Sequence, residues 1–311
     1  MKKIELHLHL DGSIDIDYAS KLMGRDVSKE LEAHHSKNLK EYLEKFSLAI
    51  QLLQTKENIE EFSYLLAKKL EDDEVIYAEI RFCPLFHTKQ LSVDEVVSSI
   101  LNGFQRVSSV KTNLIFCMMR NFPFEKNKEI IDLTKKYLGK GVCAIDLAGD
   151  EAHYKTSSFK RLFDLVKQEN IPFTIHAGEA DSFASVDCAI EFGAKRIGHG
   201  VRSIESPDTI HKLISNHVTL ELCPTSNLDT NVYSDISLYP IKDLVDLGVI
   251  VTINTDNRTV SETNLEKEYQ ILKDHFHFTK EDFIKFNLNA IEAAFLSNEE
   301  KEKLRKQLLN S

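Results

Sequence analysis

Residues 3–10 read Lys-Ile-Glu-Leu-His-Leu-His-Leu, an alternation with the two-residue period of a β-strand. His7 and His9 therefore share one face, and Leu6, Leu8 and Leu10 take the other. Working outward, short β-branched apolar runs recur at 75–82, 113–119, 142–147, 172–177, 196–198, 218–223 and 249–255. Amphipathic stretches such as 159–169 and 207–216 lie between them, each long enough for one crossover helix. Eight strand-then-helix units in a chain of 311 residues predict an α/β fold, the (β/α)8 TIM barrel, in one domain spanning 1–311.

The connection after the first strand is far longer than the rest, from about Gly12 to Asp73. Leu39, Tyr42, Phe46, Ile50 and Leu53 follow a helical stripe, as do Ile59, Phe62, Leu66 and Leu70. This insertion is expected to be helical and to sit at the C-terminal mouth of the barrel. The lysine-rich segment 301–306 alternates with Glu and Leu and reads as a solvated helix face.

Lys and Arg total 39 against 49 Asp and Glu, for a formal net charge of -10. Nucleic-acid backbones and anionic membranes both require a basic surface, so neither is expected as a partner. Two lysines open the chain, but Glu5, His7, His9 and Asp11 interrupt any apolar signal core, and a cytoplasmic location is expected. Cys83, Cys117, Cys143, Cys188 and Cys223 are odd in number and widely spaced, which fits free thiols rather than disulfides or a Cys-based zinc site.

Two imidazoles on one strand face can chelate a divalent metal. The run 172–177 ends in His176, followed by Gly178 and Glu179; the sixth run leads into His199; the eighth leads into Asp256 and Asn257. In a closed barrel the first and eighth strands are neighbours and the interior is only wide enough for side chains, so these groups can converge. Three His nitrogens and one Asp oxygen match a zinc site with a position left for water. His7, His9, His176 and Asp256 are the expected ligands, with His199 beside the water. No lysine ends the fourth strand to bridge two metals, so one zinc per chain is expected. Asp150 and Glu151 read as a helix start after that strand. His34, His35, His153, His211, His275 and His277 lie in polar sequence and read as exposed.

The stretches ELHLHLDGS (5–13), AEIRFCP (78–84), AIDLAGDE (144–151), TIHAGE (174–179), RIGHG (196–200), LELCPTSN (220–227) and NTDN (254–257) together resemble the adenosine deaminase family of the metal-dependent amidohydrolases. They occur in that family's order and span nearly the whole chain. The resemblance implies one zinc ion and hydrolytic deamination of adenosine and 2′-deoxyadenosine. It implies that Glu179 donates a proton to purine N1 and that His199 orients and deprotonates the attacking water. By the same resemblance Asp11 meets the ribose 5′-hydroxyl and the Gly149 amide meets purine N3. Asn257 departs from the better-known pattern, where two aspartates follow Thr and the second contacts N7; an Asn amide can donate there without carrying a carboxyl proton.

A purine nucleoside is thus the expected small-molecule partner. Two relatives of the same chemistry compete: deamination of free adenine or of N6-methyl-AMP. Asp11 favours a neutral 5′-hydroxyl over a phosphate. A zinc- or nucleoside-binding protein without turnover is a reading of a different class, against which Glu179 and His199 both stand. Cytidine-type zinc deaminases fit poorly, since the chain has H-x-x-E and no P-C-x-x-C.

Overall fold

The computed structural model describes residues 1–33, 36 and 39–310. Its strands are β1 (Lys3–His9), β2 (Val75–Phe82), β3 (Lys111–Met119), β4 (Val142–Ala148), β5 (His176–Ala177), β6 (Arg196–His199), β7 (Thr219–Leu222) and β8 (Ile250–Ile253). All paired neighbours run parallel, β1 to β4 in one ladder and β5 to β8 in another. Two seams close the ring. At one, the Ile145 amide donates to Pro172 (2.9 Å) and the Thr174 amide to Ile145 (3.0 Å). At the other, the His9 amide donates to Asp256 (2.7 Å) and the Asp256 amide to His7 (2.9 Å). The molecule is the expected (β/α)8 barrel.

Side chains complete the seams where the ladder is interrupted. Asn254 Oδ1 accepts from the Leu6 amide (3.0 Å), and the Glu5 carboxyl accepts from Thr255 N (3.1 Å) and Oγ1 (2.9 Å). The fifth run is shorter as a strand than its sequence predicts: residues 172–174 meet β4 only at Ile145, and regular pairing with β6 is confined to His176 and Ala177. β2 and β4 are buried along their whole length, as parallel strands covered on both faces must be.

The insertion is helical: Ile16–Met23, Ser28–Leu31, Leu39–Glu44, Phe46–Leu52 and Lys56–Asp72. The last of these is the crossover helix to β2, and it buries Ile59, Phe62, Leu66 and Leu70 as its stripe requires. The first stripe is broken at Lys45, whose amide donates to Tyr42 O (3.1 Å) in a tighter turn, and Leu53 falls just past the second helix. The C-terminal helix Asn298–Leu309 buries Leu304 and Leu308 and leaves its lysines at the surface. All five cysteines are free, and all except Cys188 are buried. His153, His211, His217, His275 and His277 are exposed, whereas His87 is buried against the Leu53 carbonyl. The reading of His34 and His35 lies outside the described residues. No helix among the described residues is long and apolar enough to cross a membrane.

Burial pushes the Glu5 carboxyl up to about 8 and the Glu268 carboxyl up to about 7. Both groups hold a proton more tightly in the folded chain than in the unfolded one, where carboxyls titrate near 4.5. Their contribution is complete below that value and is lost as pH rises through 7 and 8. The urea midpoint is therefore expected to fall between pH 5 and pH 9. Glu5→Gln should shrink that fall, and an unchanged pH dependence in this variant would rule out Glu5 as a source.

Candidate active site

Because every strand points the same way, their C-terminal ends meet on one rim. β1 delivers His7 and His9, β5 His176 with Glu179 just beyond, β6 His199, and the turn after β8 Asp256 and Asn257. One ligating atom from each of His7, His176, His199 and Asp256 lies within 4.8 Å of the others. His9 Nε2 joins them from the side, 3.2 Å from His176 Nε2 and 3.3 Å from Asp256 Oδ1. All five groups are thus brought together, and the tightest quartet takes in His199 where the sequence reading names His9.

The donor chemistry fits a divalent cation. His7 Nε2 is buried and makes no hydrogen bond, although it stands 3.3 Å from Asp256 Oδ1. Burial, helped by the Arg81 charge, lowers the His7 pKa to about 4, and burial also holds His9 well below the ordinary imidazole value. Against the cost of burial, the surrounding imidazoles keep the Asp256 carboxyl well below the usual range. His7 and His9 thus offer neutral nitrogens beside an ionised oxygen, whereas at His176 the Asp146 carboxylate outweighs burial and holds the imidazole above its ordinary value, so a metal binding there would displace a proton.

The ligands are themselves held in place. His7 Nδ1 meets Glu221 Oε2 at 2.9 Å, which makes Nδ1 the protonated nitrogen and leaves the Nε2 lone pair facing inward. His176 Nδ1 lies 2.8 Å from Asp146 Oδ2, an ion-pair distance without in-plane hydrogen-bond geometry. Arg81 joins the two carboxylates, donating to Asp146 Oδ2 (3.0 Å) and Glu221 Oε2 (2.8 Å). Gly198 is required beside them, because a Cβ there would stand 2.9 Å from His7 Cε1.

His199 and Asp256 both adopt left-handed backbone, with φ of 60° and 59°. Such a conformation costs on the order of 1–3 kcal/mol outside glycine and persists only where its surroundings hold it. Asp256 is held by both seam hydrogen bonds and by Ser226 Oγ, which donates to its Oδ2 (2.6 Å).

Glu179 is buried, and burial raises its carboxyl above the ordinary value against the pull of His199. Asn227 Nδ2 (3.1 Å) and Thr230 Oγ1 (3.4 Å) donate to its Oε1, while Oε2 lies 3.5 Å from His199 Nε2. Asn227 Nδ2 is also 3.1 Å from His199 Nδ1. The loop carrying Glu179 is organised by Glu151. That carboxylate accepts from the amides of Gly178 (2.7 Å), Glu179 (2.9 Å), Ala180 (2.8 Å) and Asp181 (3.1 Å) and from Ser185 Oγ. This corrects the reading of Asp150 and Glu151 as a helix start: the loop leaves a cluster of amides without strand partners, and Glu151 turns inward to satisfy them.

A cavity of about 380 Å³ opens over these groups. His9, Asp11, Gly149 and Asn257 all line it, and the insertion supplies its wall through Leu39, Tyr42, Leu43, Phe46 and Ile50. Asp11 is buried, which raises its carboxyl to about 7. Sequence reasoning missed Arg81, Asp146, Glu151, Glu221 and Asn227 as parts of the site. The available signal was a charged residue in the middle of an apolar strand, as in Ala144-Ile145-Asp146-Leu147 and Leu220-Glu221-Leu222.

The sequence matches the adenosine deaminase family over residues 2–311. It is 42% identical to an adenosine deaminase of Haemophilus ducreyi, covering 97% of this chain and 94% of that one. It is 38% identical to an adenosine deaminase of Clostridium acetobutylicum, covering 99% and 97%. Among solved structures the fold is shared by an adenine deaminase from Arthrobacter aurescens, with TM-score 0.87 and 20% identity over 99% of this chain and 98% of that one. It is shared also by an N6-methyl-AMP deaminase from Arabidopsis thaliana, with TM-score 0.88 and 24% identity over 100% and 97%. A Burkholderia ambifaria amidohydrolase with bound Zn gives TM-score 0.87 at 19% identity over 100% and 90%. At these identities the structural likeness is one of fold, and it is the match over residues 2–311 together with the 42% identical relative that decides the matter: the chain belongs to the adenosine deaminase family.

Proposed function

We propose that the chain hydrolyses the 6-amino group of adenosine and 2′-deoxyadenosine, giving inosine and 2′-deoxyinosine with release of ammonia, and that it acts in the cytoplasm. One zinc ion per chain would be held by His7, His9, His176 and Asp256. The observation that carries the reading is the meeting, at the head of one cavity, of the His7, His9, His176 and His199 imidazoles with the Asp256 carboxylate, beside the buried Glu179 carboxyl. Zinc in such a donor set supplies a Lewis acid that brings the pKa of water from 15.7 toward about 7. His9 is preferred to His199 as a ligand on the resemblance, and His199, whose Nδ1 shares the Asn227 amide with Glu179, is placed with the proton-handling groups.

The chain's own residues account for the remaining chemistry. Addition of the water oxygen to C6 breaks the aromatic ring and drives an electron pair onto N1. Glu179 delivers a proton to N1. Asn227 holds that carboxyl in place by donating to its Oε1. His199 and Asp256 orient the water and take up its proton, which passes to the amine as the C6–N bond breaks, and the proton left on the C6 hydroxyl returns to Glu179 as the carbonyl forms. One water is consumed and one ammonia leaves. Asp11 receives the ribose 5′-hydroxyl, the Gly149 amide faces N3, and Asn257 faces N7.

The lining also bears on the competing substrates. Asp11, Asp150, Glu179 and Asp256 contribute four carboxyls, and no Lys or Arg is among the described residues that line the cavity. A nucleoside is therefore favoured over its 5′-phosphate, because a phosphate would meet no Lys or Arg among the described lining residues.

Three outcomes are expected. Glu179→Gln should retain its metal and lose about 100-fold or more in kcat, the usual contribution of a positioned general acid; near-normal turnover would reject the proton-donor role. Glu221→Gln should weaken zinc about 10- to 100-fold in a chelator competition, through loss of His7 orientation. Unchanged affinity would show that Glu221 does not tune the site. Ammonia release from adenosine, 2′-deoxyadenosine, adenine, AMP and N6-methyl-AMP, measured in parallel, should favour the two nucleosides. A preference for adenine or a nucleotide would replace the substrate, and zinc-loaded protein inert toward all five would favour a binding protein.

A further inference from the structure

Asn257 stands where the better-known pattern has an aspartate, and its amide is held by its surroundings. Its amide nitrogen is already engaged: Nδ2 donates to the Tyr42 hydroxyl at 2.9 Å. Its Oδ1 is buried and makes no hydrogen bond. Gly12 stands against that oxygen so closely that a Cβ would lie 1.9 Å from it, so the side chain cannot retreat from the cavity. Tyr42 comes from the insertion, on the helix Leu39–Glu44, is only 1% exposed, and has its hydroxyl 2.9 Å from Ser261 Oγ.

An asparagine amide presents donors on one side and an acceptor on the other, whereas purine N7 is only an acceptor. For Asn257 to serve N7, an N–H must be turned toward the base. A half-turn of the amide exchanges its two ends, and a phenol is suited to both arrangements, since it accepts from NH₂ in one and donates to C=O in the other. The Ser261 hydroxyl can take the complementary role each time, because either oxygen of that pair can be the donor. Phenylalanine in place of Tyr42 would leave the outer end of the amide unbonded in a buried setting in either orientation.

We propose that Tyr42 is a specificity-determining positioning residue. Its hydroxyl, backed by Ser261, orients the Asn257 amide for reading position 7 of the purine. Since Tyr42 is carried by the insertion while Asn257 follows β8, recognition of position 7 depends on the insertion lying over the barrel mouth. This rests on the reading of Asn257 as the group facing N7.

The test is a double-mutant cycle of Tyr42→Phe and Asn257→Ala in the zinc-loaded full chain. Dissociation constants are measured by calorimetry for purine riboside and 7-deazapurine riboside, alongside kcat/KM for adenosine. The parent is expected to prefer the riboside bearing N7 by about tenfold, the worth of one buried hydrogen bond. Tyr42→Phe should lose most of that preference by weakening only the N7-bearing ligand. In the Asn257→Ala background it should cause no further loss, and its thermal midpoint should stay within a few degrees of the parent's. Full preference in Tyr42→Phe, equal weakening of both ribosides, or additive effects in the double variant would overturn the proposal. A parent with no preference at position 7 would overturn it together with the Asn257 assignment. A parent that binds with the expected preference but does not deaminate adenosine would overturn the substrate reading while leaving the role of Tyr42 supported.

Discussion

The site depends on the guanidinium of Arg81. It is fully buried inside the barrel and holds two carboxylates at once, Asp146 and Glu221, each of which faces one imidazole of the site. Below it the pattern continues: Arg196 donates to Glu221 and to Glu79, and both guanidiniums also donate to the Leu6 carbonyl. An isolated charge in such an interior would cost several kcal/mol, so none of these groups is tolerable without the others. Three carboxylates against two guanidiniums leave a formal charge of -1 beneath the imidazoles, and Asp256 adds another at the rim. The interior of this barrel is thereby polarised to favour a cation where His7 and His176 turn their Nε2 atoms toward the cavity.

Above that layer the site is assembled from backbone that other contacts must hold. The left-handed turns at His199 and Asp256 aim their side chains into the cavity rather than along the strands. The Glu151 carboxylate fixes the loop of Glu179 through successive amides, so the Glu179 carboxyl sits on a stiff support despite lying outside any strand. Asn227 touches both Glu179 and His199 through one nitrogen, coupling the placement of the two side chains. Catalysis by positioned charges requires such preorganisation, because groups already held in place need no reordering when the reaction occurs.

Much of this was legible from short stretches of chain. Alternation in residues 3–10 put His7 and His9 on one strand face, and ligand-bearing residues recurred at the ends of the predicted strands. Asp11, Gly149 and Asn257 stood in motifs tied to that rim, and the cavity takes in all three. The reading failed where a side chain's role lies in a distant partner. Glu151 follows a strand and carries the charge that favours a helix start, yet its partners are 27 to 34 residues away. The helical stripe of residues 39–53 was visible, but its interruption at Lys45 was not, because apolar spacing does not register a single tightened turn.

The sequence by itself determined the number and order of the strands, the rim on which chemistry-bearing residues emerge, and the helical character of the insertion. These are local properties, written in two- and 3.6-residue periods and in residue types at element ends. Only the tertiary structure decided that Arg81 joins Asp146 to Glu221 across 65 and 140 residues, and that Tyr42 meets Asn257 across 215. Closing a ring of strands brings together side chains whose separation along the chain carries no periodic signature, and the pairing of buried charges and amides is then set by distance in space alone.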